Sequence, residues 1–421
     1  MNKQTAIAAA ALMAAGLMLQ GAPMPATPAG AGFEKIVLND AFFCEGINVG
    51  DFNKDGHLDI VAGPFWYEGP AFKKRHVIWK QEPLPPEGGA SESAATFVYD
   101  FNGDGWPDIL VLGRADPPAN AKPNSWEKVV MQQAYWYANP GAKEETWQRY
   151  FVFPRVMGES PIFGDLDGDG QPELIALWEN QWGLLRPRRE RPADPWEFSP
   201  ISRVGDWRVY YHGMGMGDID GDGRQDLVLN EGLFFQPAKP GGPWKEQRLK
   251  FSPGRGGAQI LVFDVNGDGR MDVVSALDGH GWGLSWFEQT KDAAGGISFA
   301  EHRIMGDRSE EAKFGVAFSQ VHALAAADLD GDGLTDFVTG KRWWAHGPTH
   351  DLEPEGTPVL YWFQLLRDKD GARFVPHLID DASGVGAQIT LQDVTGDGVP
   401  DVLVASKKGA FLFVNHLRDK R

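Results

Sequence analysis

The sequence predicts an all-β fold, a seven-bladed β-propeller, and three observations carry that expectation. A nine-residue motif, Asp-x-Asn/Asp/Thr-x-Asp-Gly-x-x-Asp/Glu, occurs seven times, with successive copies starting 46 to 65 residues apart. Each copy is preceded by an alternating stretch and followed by a short apolar run such as Ile60-Val61-Ala62 or Val402-Leu403-Val404, so it joins two strands as a hairpin loop. The 52 Gly and 29 Pro among 421 residues exceed their usual share and favour turns over long helices.

The elements follow in order along each repeat. An inner strand enters the loop and a second strand leaves it. A third, aromatic strand comes next, as in Phe65-Trp66-Tyr67, Tyr135-Trp136-Tyr137 and Tyr361-Trp362-Phe363, and several copies add a fourth with histidine, as in Arg75-His76-Val77. Four strands make one propeller blade. The last repeat stops after its third strand at Phe411 to His416, whereas Phe33 to Leu38 reads as an orphan fourth strand. The N-terminal strand is therefore expected to complete blade seven and leave no open edge. The aromatic trios read as packing between blades, and His76, His302 and His377, which recur at one position, read as structural.

Composition narrows the function. A net charge of -18 opposes nucleic acid and anionic lipid surfaces, so no nucleic-acid partner is expected. Cys44 is the only cysteine, which excludes an intramolecular disulfide or a Cys-rich zinc module. At the N-terminus, Lys3 and the apolar run Ala6 to Leu19 have the pattern of a signal peptide and are too short to span a bilayer. Residues 1–31 are expected to be a leader cut after Ala31, residues 32–421 the propeller, and the product periplasmic or secreted, with no membrane span.

The loops have the chemistry of calcium sites. Oxygens at positions 1, 3, 5 and 9 converge on one hard cation, while Gly at position 6 permits the sharp turn. The expected ligands are Asp51, Asn53, Asp55 and Asp59 in loop one, Asp100, Asn102, Asp104 and Asp108 in loop two, and Asp165, Asp167, Asp169 and Glu173 in loop three. Loop four offers Asp218, Asp220, Asp222 and Asp226, and loop five Asp264, Asn266, Asp268 and Asp272. Loop six offers Asp328, Asp330, Asp332 and Asp336, and loop seven Asp393, Thr395, Asp397 and Asp401, with Thr395 making it the weakest. Up to seven Ca²⁺ are expected. An EF-hand is excluded, because its position 12 falls on Ala62, inside a strand.

These loops resemble the FG-GAP and VCBS-type repeats, calcium-loop β-propellers of integrin α heads and many exported bacterial proteins. The resemblance covers nearly the whole chain beyond the leader and implies fold more than function. Segments such as Val321-His322-Ala323-Leu324 before loop six also look like the propeller part of the aldos-2-ulose dehydratase/isomerase family, which implies a metal-dependent lyase acting on keto sugars.

Counting six residues back from each loop gives Glu45, Ala94, Glu159, His212, Ala258, His322 and Ala387 at one ring position. That ring lies about 20 Å from the loops, at the opposite mouth of the channel. Glu45, Glu159, His212 and His322 are expected to hold one Zn²⁺ or other divalent ion. A polar cap over the apolar strand interior, filled by water, is the alternative. The same mouth carries His280, Lys341, Arg342 and His346, expected as acid, base and charge-supporting groups, with Trp343 and Trp344 beside them. Two functions follow: a lyase or dehydratase acting on keto sugars by β-elimination, or a non-catalytic propeller that binds a carbohydrate or protein ligand at this mouth.

Overall fold

The computed structural model describes residues 30–418, apart from residues 31, 89–90, 92, 115–131, 144–145, 157, 208–211, 240, 242–243, 255, 294 and 370. The expected leader, residues 1–31, thus lies almost wholly outside the described residues.

The chain is a β-propeller. Each repeat follows the antiparallel order expected from its alternation. In the first, Ile47–Gly50, Asp59–Ala62, Phe65–Tyr67 and Arg75–Val77 pair in sequence. The second runs through Ala95–Tyr99, Asp108–Arg114, Gln132–Ala138 and Gln148–Val156, and the third through Phe163–Gly164, Glu173–Trp178, Gln181–Arg186 and Glu197–Pro200. The sixth comprises Val321–Ala327, Asp336–Lys341, Leu360–Asp368 and Gly371–Asp380. In the last sheet the N-terminal strand Phe33–Asn39 pairs antiparallel with Gly409–Asn415, with Phe33 opposite Asn415. Lys35 on that strand also forms a buried 2.8 Å ion pair with Asp380 of repeat six.

Seven separate sheets are not what the structure holds: there are five four-stranded sheets and one of eight strands. Repeats four and five share the latter because their inner strands, Met214–Gly217 and Gly257–Phe263, pair in parallel at Met214 and Gln259. Glycine makes this approach feasible. A Cβ at Gly215 would stand 2.2 Å from the Ile260 carbonyl oxygen, and one at Gly217 2.5 Å from Val262.

Apolar burial lies between repeats. Phe52, Val61, Trp66 and Ile78 of repeat one pack with Ile109, Val111 and Tyr137 of repeat two. Similar clusters join each successive pair. A last cluster joins Phe65 and Tyr67 to Leu403, Leu412 and Val414, from the first and last repeats. The fourth-strand histidines stack on third-strand tryptophans: His76 on Trp66 at 3.8 Å, His302 on Trp286 at 4.2 Å and His377 on Trp362 at 4.5 Å.

The position 9 acids do more than the motif suggests. Each of the six aspartates there is fully or almost fully buried and accepts one backbone N–H from loop position 2 and one from the third strand or the residues just after it, and Asp401 accepts that of Thr395 as well. Amides at that strand end then reach the previous repeat: Asn139 donates to the Phe52 carbonyl, Gln236 to Leu166, Gln289 to Ile219 and Asn415 to Leu329. Loops one, three, four and six are thereby tied to the blades that follow them. Asn415→Ala is expected to cost about 2 kcal/mol, because it strands the Leu329 and Pro400 carbonyls and the Leu417 N–H. Urea denaturation checks this; a loss below about 0.5 kcal/mol would remove the tie from the account.

Candidate functional site

The chain entering the inner strands of repeats three, four and six meets the loop after the second strand of repeat five. Glu159, His212, His280 and His322 each offer one ligand atom, and these atoms all lie within 4.8 Å of one another. His212 and His322 are buried; the ring centroids stand 5.5 Å apart, and His280 lies 4.8 Å from His212 and 4.6 Å from His322. The Glu159 carboxylate is 3.2 Å from His212 Nε2 and 3.5 Å from His322 Nε2. Neither ring nitrogen of His212, nor His322 Nε2, nor His280 Nδ1, has a hydrogen bond of good geometry among the described residues. His322 Nδ1 lies 3.4 Å from the Gln320 carbonyl, a bond that would fix the tautomer with Nε2 free to face the cluster.

Electrostatics sets the charge state of these groups. Burial, reinforced by Arg342, pushes the His322 pKa down to about 4. Burial, with His322 and His212 adding to it, pushes His280 down to about 2. Both rings are neutral at pH 7 and keep a lone pair. Burial works to raise Glu159, but His212, His322 and Arg342 outweigh it and hold the carboxyl well below the usual range. Three imidazoles and one carboxylate form a donor set for zinc or another divalent transition metal.

Three of the four expected ring ligands converge, and Glu45 does not join them. Arg342 stands between: its Nε donates to Glu45 at 2.8 Å and its Nη1 to Glu159 at 3.1 Å. His280, expected as an acid or base, takes the place assigned to Glu45. Lys341 is buried, donating to Ser319 Oγ at 2.6 Å and to the Leu352 carbonyl, so it does not face the mouth as a charge-supporting group. His346 is half exposed, with its ring 4.4 Å from that of His280. Trp343 and Trp344 stack at 3.9 Å with Lys408 over the Trp343 face, and Trp344 holds the left-handed backbone that bulky residues rarely adopt. The Cys44 thiol, pushed up by burial and by Glu45, is not an available nucleophile.

Beyond the cluster, two glutamines join inner strands of different repeats. Gln388 accepts the Thr96 and Ile47 N–H groups and donates to the Thr96 carbonyl, while Gln259 accepts from Leu324 and donates to Ala387. A cavity of about 440 Å³ lined by Met214, Met216, Leu324 and Ala326 follows. Sequence spacing missed these glutamines because their partners lie on other repeats.

At the hairpin loops, carboxylates gather close to one another. Position 1 of loop two, Asp100, accepts the N–H groups of Gly103, Asp104 and Gly105, and loops four to seven repeat the pattern. Carboxylate oxygens approach within 4.8 Å in three sets: Asp165, Asp167 and Glu173; Asp218, Asp220 and Asp226; Asp328, Asp330 and Asp332. Burial, aided by Asp330 and Asp332, pushes Asp336 up to about 7. That is the behaviour of a carboxylate lacking a counter-charge, so the residues fit a hard cation.

Comparison with known protein families finds the repeat in two stretches of the chain. Residues 100–176 and 264–339 match the FG-GAP-like repeat family. Among curated proteins, the rhamnogalacturonan exolyase YesX of Bacillus subtilis (strain 168) is 22% identical over 372 residues. That match covers 69% of this chain and 57% of the relative, so the chain spans little more than half the relative's length. Solved structures with a similar course include an Agrocybe aegerita lectin that recognises non-reducing terminal N-acetylglucosamine, at 14% identity and TM-score 0.48, covering 89% of this chain and 86% of that one. Another is a Bacillus licheniformis rhamnogalacturonan lyase, at 15% identity and TM-score 0.43, covering 94% and 75%. No helix among the described residues is long and apolar enough to cross a membrane. The chain is thus a β-propeller that carries FG-GAP-like repeats.

Proposed function

We propose that this chain is an exported, calcium-stabilised propeller whose mouth holds one divalent ion and acts on oxidised sugars as a carbon–oxygen lyase. The observation that carries the reading is the convergence of Glu159, His212, His280 and His322, with hydrogen-bonding atoms left open, on one point. We count the propeller as seven blades, taking the eight-stranded sheet as two, because the apolar clusters join every successive pair of repeats and also the last to the first. The acidic loops would hold Ca²⁺ and stiffen the hairpins. The sequence likeness to a rhamnogalacturonan exolyase supports a sugar substrate.

In this reading the bound ion supplies Lewis acidity to a substrate carbonyl oxygen. Arg342 fixes Glu159 from behind and keeps it ionised. His346, half exposed beside His280, takes the proton on the carbon next to the carbonyl. As the carbon–carbon double bond forms, the bond to the β-oxygen breaks, and the leaving hydroxyl or alkoxide takes the proton that His346 has just accepted and departs as water or alcohol. The stacked Trp343 and Trp344 offer an aromatic surface, and Lys408 a cation, for a sugar ring with oxygen-rich or anionic substituents.

Supplying 2-keto and 3-keto sugars should raise ultraviolet absorbance as an unsaturated ketone forms. His346→Ala should lower kcat at least tenfold with metal content unchanged. No turnover, with saturable glycan or protein binding at the mouth, would replace the lyase by a binding module. Full activity in His346→Ala would remove this residue as the base.

A further inference from the structure

Loop three departs from its six counterparts in three linked ways. Its position 9 acid is Glu173 where the others have Asp. In the other repeats the third strand, or the residues just after it, supplies a second N–H to that acid, from Gly69, Asn139, Gln236, Gln289, Leu365 and Asn415. The register of repeat three, Leu174 opposite Leu185, matches Leu227 opposite Phe234 and Val273 opposite Phe287, and so puts Pro187 at the position of Gln236 and Gln289. Proline has no N–H to give. Glu173 is fully buried, yet its Oε1 has no hydrogen-bond partner.

A guanidinium stands there instead. Arg186, the residue before Pro187, places Nε 3.6 Å from Glu173 Oε1 and bonds Asp167 through Nη2, so it touches positions 9 and 3 together. Arg224 and Arg270 also pair with loop carboxylates, but each reaches position 5 of its own loop and a strand-end carbonyl. A calcium ion entering loop three must therefore displace a cation that spans two ligand positions, 3 and 9, whereas Arg224 and Arg270 each pair with the position 5 ligand alone. An open cleft of about 840 Å³, lined by Asp165, Asp167, Arg186, Arg224 and Trp244, offers room for the displaced side chain.

We propose that Arg186 is a built-in counter-cation for loop three, making this loop the calcium site that fills at least tenfold later than loop four. The proposal rests on the calcium reading of the loops. Calorimetric calcium titration of the chelator-stripped full chain tests it. Wild type should show a weak site that Arg186→Gln tightens tenfold or more, whereas Arg186→Lys, which keeps the charge, should leave it weak. Calcium binding in wild type with every affinity unchanged, or one lost, in Arg186→Gln would overturn the role of Arg186 and leave the calcium reading standing. No calcium binding to wild type would overturn both. If Arg186→Gln does not fold, phenylglyoxal modification of wild type read by mass spectrometry decides. Arg186 should become reactive only at calcium concentrations at least tenfold above those that fill the tight sites, and earlier reactivity would contradict the proposal.

Discussion

Arg342→Ala is expected to destabilise the fold by about 3–5 kcal/mol, the range for breaking a buried ion pair by removing one partner. The guanidinium is 5% exposed and neutralises Glu45, 1% exposed, together with Glu159. Its loss strands two carboxylates. Because a divalent ion at the cluster would still neutralise Glu159, the loss should be larger after chelation than before. The pH dependence should change sign. In wild type, burial works to raise Glu45 but Arg342 outweighs it, holding the pKa below its ordinary 4.5. Its stabilisation is therefore complete above pH 4.5 and lost as pH falls through the lower folded value. In the variant burial dominates, the folded pKa rises above 4.5, and stability should increase on mild acidification. Denaturant midpoints at several pH values measure both effects; a loss below about 1 kcal/mol at pH 7 would show that the carboxylates have other counter-charges.

Asp336→Ala is expected to cost about 3–4 kcal/mol even in chelator. It leaves the buried N–H groups of Leu329 and Leu365 unsatisfied, at about 1–3 kcal/mol each. In calcium the loss should grow, because a charged ligand of loop six disappears as well, and the variant should lose much of the rise in melting temperature that calcium gives wild type. Equal losses with and without calcium would mean that position 9 is only a backbone acceptor. A melting temperature of wild type that is unmoved by excess chelator would retire the calcium reading altogether.

The hairpin loops were legible because their information is local: Asp393 to Asp401 carries its turn within nine residues, and the strands on either side alternate. Counting back from the loops also found Glu159, His212 and His322, since strand periodicity fixes how far each inner residue lies from its loop. The same counting could not place Glu45, whose carboxylate is taken by Arg342 from a residue 297 positions away. Nor could it see that His280, on a loop after a second strand, reaches the ring position of its neighbours. The amides Asn139, Gln236, Gln289 and Asn415 recur in the sequence at matching strand ends, a signal available but unread because their partners lie on the preceding repeat. The eight-stranded sheet was hidden in Gly215 and Gly217, whose missing Cβ atoms matter only once two inner strands approach.

Elemental analysis of the purified full chain after extensive dialysis, with His322→Ala alongside, tests the central claim most directly. The account predicts about one non-calcium divalent metal per wild-type chain, none in His322→Ala, and the same calcium content and circular-dichroism spectrum in both. Wild type without such a metal, or equal retention in the variant, would contradict a metal site built on Glu159, His212, His280 and His322.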